Sequence, residues 1–492
     1  MGADAAPQEF DVVIVGAGIS GIDAAYHLQR DCPDRRYVVL DALESFGGTW
    51  LTHRYPGVRS DTDLYTFGYS FKPWTGDPIA SADRIRAYLS EVIEENGIGE
   101  HVRYRRRVLD AAWASAENRW ALTVRDLESG VDESYSCEFL WMCQGYYKHE
   151  EGYTPEWPGL ASFKGRVVHP QSWPEDLNLE DQEVVVIGSG ATAATLLPAI
   201  ADRCRHVTML QRSPTYFFSG ANRDELAEQL RALEVDEAWI HEIVRRNRLA
   251  QLKMLTDIAL SEPEFAAREL INLVRAELPE DYDVDTHFTP RYRPWQQRIA
   301  YVPDGDLFRA ISSGQASVVT DEIERFTPDG VRLVSGEELH ADVIITATGF
   351  ELSVLGGVRF TVDGDELDPA DTIAYRGMMF TGVPNLCWVF GYFRAAWTLR
   401  ADLVCDFVCR ILNHMRDHDL HRVVPTLRDD DRGETPLAWV DEEQFNPGYL
   451  TRSLHRMPKR LAKPEWGHTQ DYWTEKDILP LVPPDDDCLV YS

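Results

Sequence analysis

The chain has 492 residues, too many for one compact core, so two or three packing units are expected. A hydrophobic content of 44% suits a soluble globular protein, whereas a net charge of −32 disfavours a nucleic-acid partner and weakens docking on anionic lipid. No apolar run has bilayer-spanning length, so no membrane span is expected.

The start, "MGADAAPQEF", lacks the basic and apolar regions of a secretory signal and the hydroxyl residue of a myristoylation site, so a cytoplasmic location is expected. From residue 10, "FDVVIVGAGISGIDAAYHLQRDCPDRRYVVLD" reads as strand, tight turn, helix and second strand. In its G-x-G-x-x-G turn, Gly16 makes the bend, Gly18 lets a pyrophosphate approach the backbone, and Gly21 packs helix on strand. Asp41 closes the second strand, where a carboxylate binds ribose hydroxyls. Next come "GGTWLTHRYPGVRSD" (47–61), then the strands "RWALTV" and "CEFLWMCQGYY", then a Pro/Gly connector, "EEGYTPEWPGL". "FKGRVVHPQSWP" (163–174) is neither an amphipathic helix nor a clean strand.

At 184 the first grammar returns in "VVVIGSGATAATLLPAIADRCRHVTMLQRS". Its turn holds Gly188, Gly190 and Thr192, and its second strand ends in Arg212 and Ser213 instead of an acid. A base at that place suits a ribose 2′-phosphate, so the second site points to NADPH and the first to FAD. Residues 221–280 carry helical composition. "GVRLVSGEELHADVIITATGF" reads as a hairpin feeding a buried strand, "PNLCWVFGYF" as a strand, and "RADLVCDFVCRILNHM" as a helix. The polar, Pro-rich tail is expected to wrap the surface. The eight cysteines contain no C-x-x-C pair and no zinc spacing, which argues against a disulfide reductase and gives no expectation of a metal.

Three stretches carry a resemblance. "FKGRVVHPQSWP" matches F-x-G-x-x-x-H-x-x-x-W-P, "GGTWLTHRYPGVRSD" matches G-G-x-W-x-x-x-x-Y-P-G-x-x-x-D, and "ATGF" stands at 347–350. Together with the two glycine turns, these make the chain resemble the type I Baeyer–Villiger monooxygenases, class B flavoprotein monooxygenases. "FKPW", "GSGATA", "LQRSPTY" and "WTL" make it most similar to the ethionamide-activating subgroup. The resemblance implies an NADPH- and O2-dependent enzyme that turns ketones into esters or lactones through a C4a-peroxyflavin. The alternative is S- or N-oxygenation of sulfides, thioamides or amines by the same intermediate. A nucleotide sensor without turnover is a third reading, disfavoured by the complete motifs. The partner is then a small-molecule ketone or sulfide together with O2, and the oligomeric state stays open.

The resemblance also implies residue roles. Arg298 would hold the anionic intermediate, although an ordinary surface ion pair is the alternative and Arg291 and Arg293 stand nearby. Asp61 would orient that guanidinium, with a turn-stabilising role as its alternative. Gly48, Thr49 and Trp50 would contact flavin and pyrophosphate, Ser20 would lie beside the pyrophosphate, Val108 would lend its backbone to the adenine, and Arg59 would reach NADP. The Phe, His and Trp of "FKGRVVHPQSWP" are expected to pack the interdomain connector. The fold expected is α/β, with two Rossmann-like dinucleotide-binding domains and a discontinuous FAD domain: 1–147 and 376–492 for FAD, and 148–375 for NADPH with a helical insertion near 221–288. Pocket walls are expected from "GYFRAAWTLR" and from that insertion.

Overall fold

The computed structural model describes residues 6–492. The strand Gln8–Val15 ends in four consecutive buried residues, as befits a parallel strand covered on both faces. It pairs in parallel with Tyr37–Leu40 on one side and Asp132–Met142 on the other, the crossover being the helix Ile19–Asp31. Arg106–Ala114, Arg119–Asp126 and Asp132–Met142 form an antiparallel meander that extends this sheet. Leu386–Trp388 adds to it in parallel, against Asp132–Met142. The result is a nine-stranded sheet built from both ends of the chain.

The second sheet has five strands, all parallel, in the order Ala316–Thr320, His206–Gln211, Glu183–Ile187, Val343–Thr346, Arg166–Val168. The helix Ala191–Ile200 follows its glycine turn, as Ile19–Asp31 follows the first. The fold is therefore α/β with two dinucleotide-binding units. Between residues 221 and 288 lie the helices Glu225–Ala232, Glu237–Ser261, Pro263–Glu277 and Val284–His287.

Four details differ from the sequence reading. Arg359–Val362 pairs with Arg106–Ala114 of the first sheet, so we propose that the chain returns to the first unit near 358, ahead of the expected 376. The supposed connector begins as a strand, Tyr147–Gly152, paired antiparallel with Phe350–Leu352 apart from both large sheets. The "RVV" of "FKGRVVHPQSWP" is the edge strand of the second sheet. The tail is not a surface wrap: Trp439, Phe445, Leu450 and Trp466 are buried in the core of the first unit, where large apolar side chains outweigh the polar composition around them.

Candidate active site

The first glycine turn is sterically closed. Gly16 has φ +106° and lies so near the Cys143 carbonyl that a Cβ would stand 2.7 Å from its oxygen. A Cβ on Gly21 would stand 1.8 Å from the Gly16 carbonyl oxygen. Gly18 instead meets Gly48, with which it shares a narrow gap: a Cβ on Gly48 would reach 3.2 Å from the Gly18 Cα. Gly18 caps the helix Ile19–Asp31 without a side-chain hydrogen bond, so the first N–H groups of that helix face outward and favour an anion.

These groups open on a cavity of ≈ 620 Å³. Of the residues singled out in the sequence, Gly16, Gly18, Ser20, Asp41, Gly48, Thr49, Trp50, Asp61, Val108 and Arg298 line it. Asp41 is buried, and one carboxylate oxygen accepts from the Ala17 N–H while the other accepts from the Leu43 N–H at 2.7 Å. Burial pushes its pKa up, against those two backbone bonds. Val108 precedes a register shift in its strand, which leaves Leu109 unpaired beside the cavity. The Thr49 hydroxyl is 2.8 Å from the Tyr147 hydroxyl, and Trp397 Nε1 donates to Ser20 Oγ at 2.8 Å.

At the other end stands Arg298, Nη2 at 3.6 Å from Asp61 Oδ1. Its side chain is 39% exposed and lines the cavity. Arg291 and Arg293 do not line it; Arg293 is spent on the Glu443 carbonyl and the Gln444 side chain. Asp61 first, then the phenols Tyr449, Tyr146 and Tyr147, hold the Arg298 guanidinium more firmly protonated than usual, against the opposing effect of burial. Tyr146 stacks on Trp397 with centroids 5.2 Å apart. Tyr449 comes from the tail, and its hydroxyl is buried without a hydrogen-bond partner. Sequence reading missed these three tyrosines. The doublet at 146–147, directly after a strand and a Gln-Gly turn, was a usable signal; Tyr449 had none.

The second turn repeats the first. Gly188 has φ +122°, and a Cβ there would stand 2.3 Å from the Ala347 carbonyl oxygen. "ATG" thus serves Gly188 as Cys143 serves Gly16. Gly190 caps the helix Ala191–Ile200, again without a side-chain bond, and Thr192 approaches the Tyr55 hydroxyl. A Cβ on Gly57 would stand 2.6 Å from the Ala199 side chain, so "YPG" of the second fingerprint packs the first unit onto that helix. Arg212 and Ser213 follow the strand His206–Gln211 and are exposed; the Ser213 carbonyl accepts from Ser189 Oγ at 3.3 Å. Arg59 is not in the cavity with Arg298. It lines a neighbouring cavity of ≈ 690 Å³ that both units share, and forks onto Asp306 at 2.6 and 3.2 Å. The helical insertion contributes nothing to the cavity of Arg298, contrary to expectation, whereas Tyr392, Ala395 and Trp397 of "GYFRAAWTLR" do line it. His169 sits beside the strand pair Tyr147–Gly152 and Phe350–Leu352: its Nε2 meets the Gly349 carbonyl at 3.2 Å, its Nδ1 accepts from the Gln171 N–H at 3.1 Å, and Gly152 leaves room for its ring.

Comparison with known proteins gives the family and the fold. Residues 10–265 match the family described as pyridine nucleotide-disulphide oxidoreductase. The chain is 46% identical over 487 residues to the FAD-containing monooxygenase EthA of Mycobacterium tuberculosis, covering 99% of this chain and 98% of the relative. The chain belongs to the FAD-containing monooxygenases. The probable FAD-binding monooxygenase AlmA of an Acinetobacter species is 40% identical, covering 96% of this chain and 94% of the relative. In fold, this monooxygenase resembles OTEMO crystallised with FAD and NADP (TM-score 0.77, 20% identity, 98% and 99% coverage). Caprolactone-bound cyclohexanone monooxygenase is equally similar (TM-score 0.77, 20% identity, 99% and 100% coverage). Every described cysteine is free, and Cys143 is the one cysteine lining the cavity, its thiol pushed up by burial. Among the described residues no helix is long and apolar enough to cross a membrane.

Proposed function

We propose that this monooxygenase binds FAD along the cavity of the first glycine turn and NADPH at the second turn. With O2 it then inserts one oxygen atom beside a ketone carbonyl, giving an ester or lactone. The observation that carries the reading is Arg298, a cation tied to Asp61 and turned into the cavity that begins at the first glycine turn.

The residues present fit FAD. The close approach of Gly48 to Gly18 keeps side chains away from the helix start, whose uncapped N–H groups can donate to a diphosphate. Each Asp41 oxygen, already accepting one backbone bond, keeps a lone pair for a ribose hydroxyl. Arg212, exposed at the end of its strand, suits the 2′-phosphate of NADPH. When bound, the two cofactors supply hydride and activated oxygen.

The chain's own part is then positional and electrostatic. Arg298 stabilises the negative charge that develops when oxygen adds to the carbonyl, and Asp61 keeps its guanidinium oriented. Tyr147 fixes Thr49, and so the loop that carries Gly48 and Trp50. Tyr146 and Trp397 wall the site with aromatic surface, and Tyr449 packs beside Tyr146.

The test is a turnover experiment with labelled dioxygen, NADPH and a panel of ketones and thioethers. A singly labelled ester or lactone, lost in Arg298→Ala, supports the proposal. Label confined to sulfoxides, or ester formation that survives Arg298→Ala, overturns it.

A further inference from the structure

We infer that Tyr146 is a further catalytic residue: its phenol donates a hydrogen bond to the oxygen of the substrate carbonyl, beside Arg298. The inference rests on the ketone reading above and names the group that acts with the arginine. Tyr146 and Arg298 line one cavity. Each is felt by the other. Tyr146 is among the phenols that favour the charged guanidinium, and Arg298 is the charged group that acts most on the Tyr146 phenol.

Packing accounts for the ring but not for the hydroxyl. The ring stacks on Trp397, with centroids 5.2 Å apart and planes at 15°, and meets Tyr147 edge-on at 4.9 Å. A phenylalanine would make the same contacts. The hydroxyl donates to no described atom, and it is not enclosed. The other hydroxyls at this wall are occupied. That of Tyr147 is engaged with Thr49, that of Tyr392 donates to Glu475, and Thr62 Oγ1 donates to Asp61 at 3.4 Å. Tyr449 does not line the cavity, and its hydroxyl is enclosed. Tyr146 is thus left with a proton to give, in a cavity that also presents a guanidinium, and a bound carbonyl oxygen can accept from both.

The donor is held in place. The Tyr146 carbonyl accepts from the Ser353 N–H at 3.0 Å, and Trp397, on which the ring lies, donates to Ser20 Oγ at 2.8 Å. A fixed donor beside developing charge needs no reorganisation during reaction. Burial raises the pKa of the phenol, partly offset by Arg298, so Tyr146 keeps its proton at neutral pH. As oxygen adds to the carbonyl carbon, the carbonyl oxygen gains negative charge, which Arg298 and the Tyr146 O–H share. When the ester carbonyl re-forms, that charge leaves and the proton has stayed on Tyr146. The overall balance is unaltered: ketone, O2, NADPH and a proton give ester, water and NADP⁺.

The test compares wild-type and Tyr146→Phe holoenzyme, with NADPH, labelled dioxygen, the best-converted ketone of the panel and an aryl methyl sulfide. In Tyr146→Phe, kcat for labelled ester should fall about 10- to 100-fold, the loss of one neutral donor to a charged oxygen. Sulfoxide formation and flavin reduction should change less than about twofold, because a thioether has no carbonyl oxygen to hold. NADPH is still consumed, with peroxide released in place of ester. Unchanged ester formation would overturn the role. Equal loss of ester and sulfoxide, or loss of bound flavin, would also overturn it and leave Tyr146 a packing residue. Absence of labelled ester from the wild type would instead overturn the ketone reading, and this inference with it.

Discussion

Replacing Asp61 by Asn tests whether the ion pair beside the cavity orients Arg298 for reaction. At 3.6 Å the Coulomb attraction of the pair is about 4.6 kcal/mol at an effective dielectric of 20, and about 1.2 kcal/mol in bulk water. The side chains are 39% and 24% exposed, so the effective value lies between these limits, about 1–3 kcal/mol. If that energy holds the guanidinium where charge develops, kcat for product falls about 5- to 150-fold. Flavin reduction by NADPH should persist, because it needs no charge at that point. The assay follows NADPH consumption, labelled product and released peroxide together. Unchanged product yield per NADPH in Asp61→Asn would refute the argument and return Asp61 to a turn-stabilising role. A simple loss of bound flavin would also count against it, since it would make Asp61 a binding residue.

Gly21→Ala should give protein without flavin absorbance, since its Cβ would stand 1.8 Å from the Gly16 carbonyl oxygen and force the first turn open. Arg212→Ala should raise KM for NADPH about tenfold and leave KM for NADH nearly unchanged, one charged contact to the 2′-phosphate being worth about 1.4 kcal/mol. Stability should also depend on pH through histidines. Burial lowers the pKa of His53 to about 4, of His241 to about 4 and of His468 to about 3, whereas the unfolded chain titrates near about 6.5. The unfolded state therefore binds more protons below that value, and stability falls as pH drops from 6.5 towards 4. Three such groups amount to about 4 kcal/mol at about pH 5.5, read as a shift in the denaturant midpoint against pH 8. A midpoint unchanged across that range would refute the assignment of neutral buried imidazoles. At lower pH the buried Asp41 and Asp63, whose pKa values burial raises, act in the opposite sense.

The two nucleotide turns were legible in the sequence because their constraint is local. Gly16 and Gly188 need a positive φ and room for a passing carbonyl, and only glycine meets both conditions wherever the rest of the chain goes. The places of Asp41 and Arg212 just after their strands were legible for the same reason, each being tied to its own strand end. The helical insertion was legible from composition over a long window. What tertiary structure alone decided lies between residues far apart in sequence. Arg298, and not Arg291 or Arg293, lines the cavity beside Asp61, a choice that only the packing of segments far apart in sequence makes. Tyr449 reaches Tyr146 because the tail folds back through a buried aromatic core, a driving force that its polar composition concealed. Asp23 and His27 meet Asp402 only because the helices Ile19–Asp31 and Trp397–Asp417, from opposite ends of the chain, pack together. Periodicity and spacing describe one segment at a time, and a site assembled from several segments is fixed by packing.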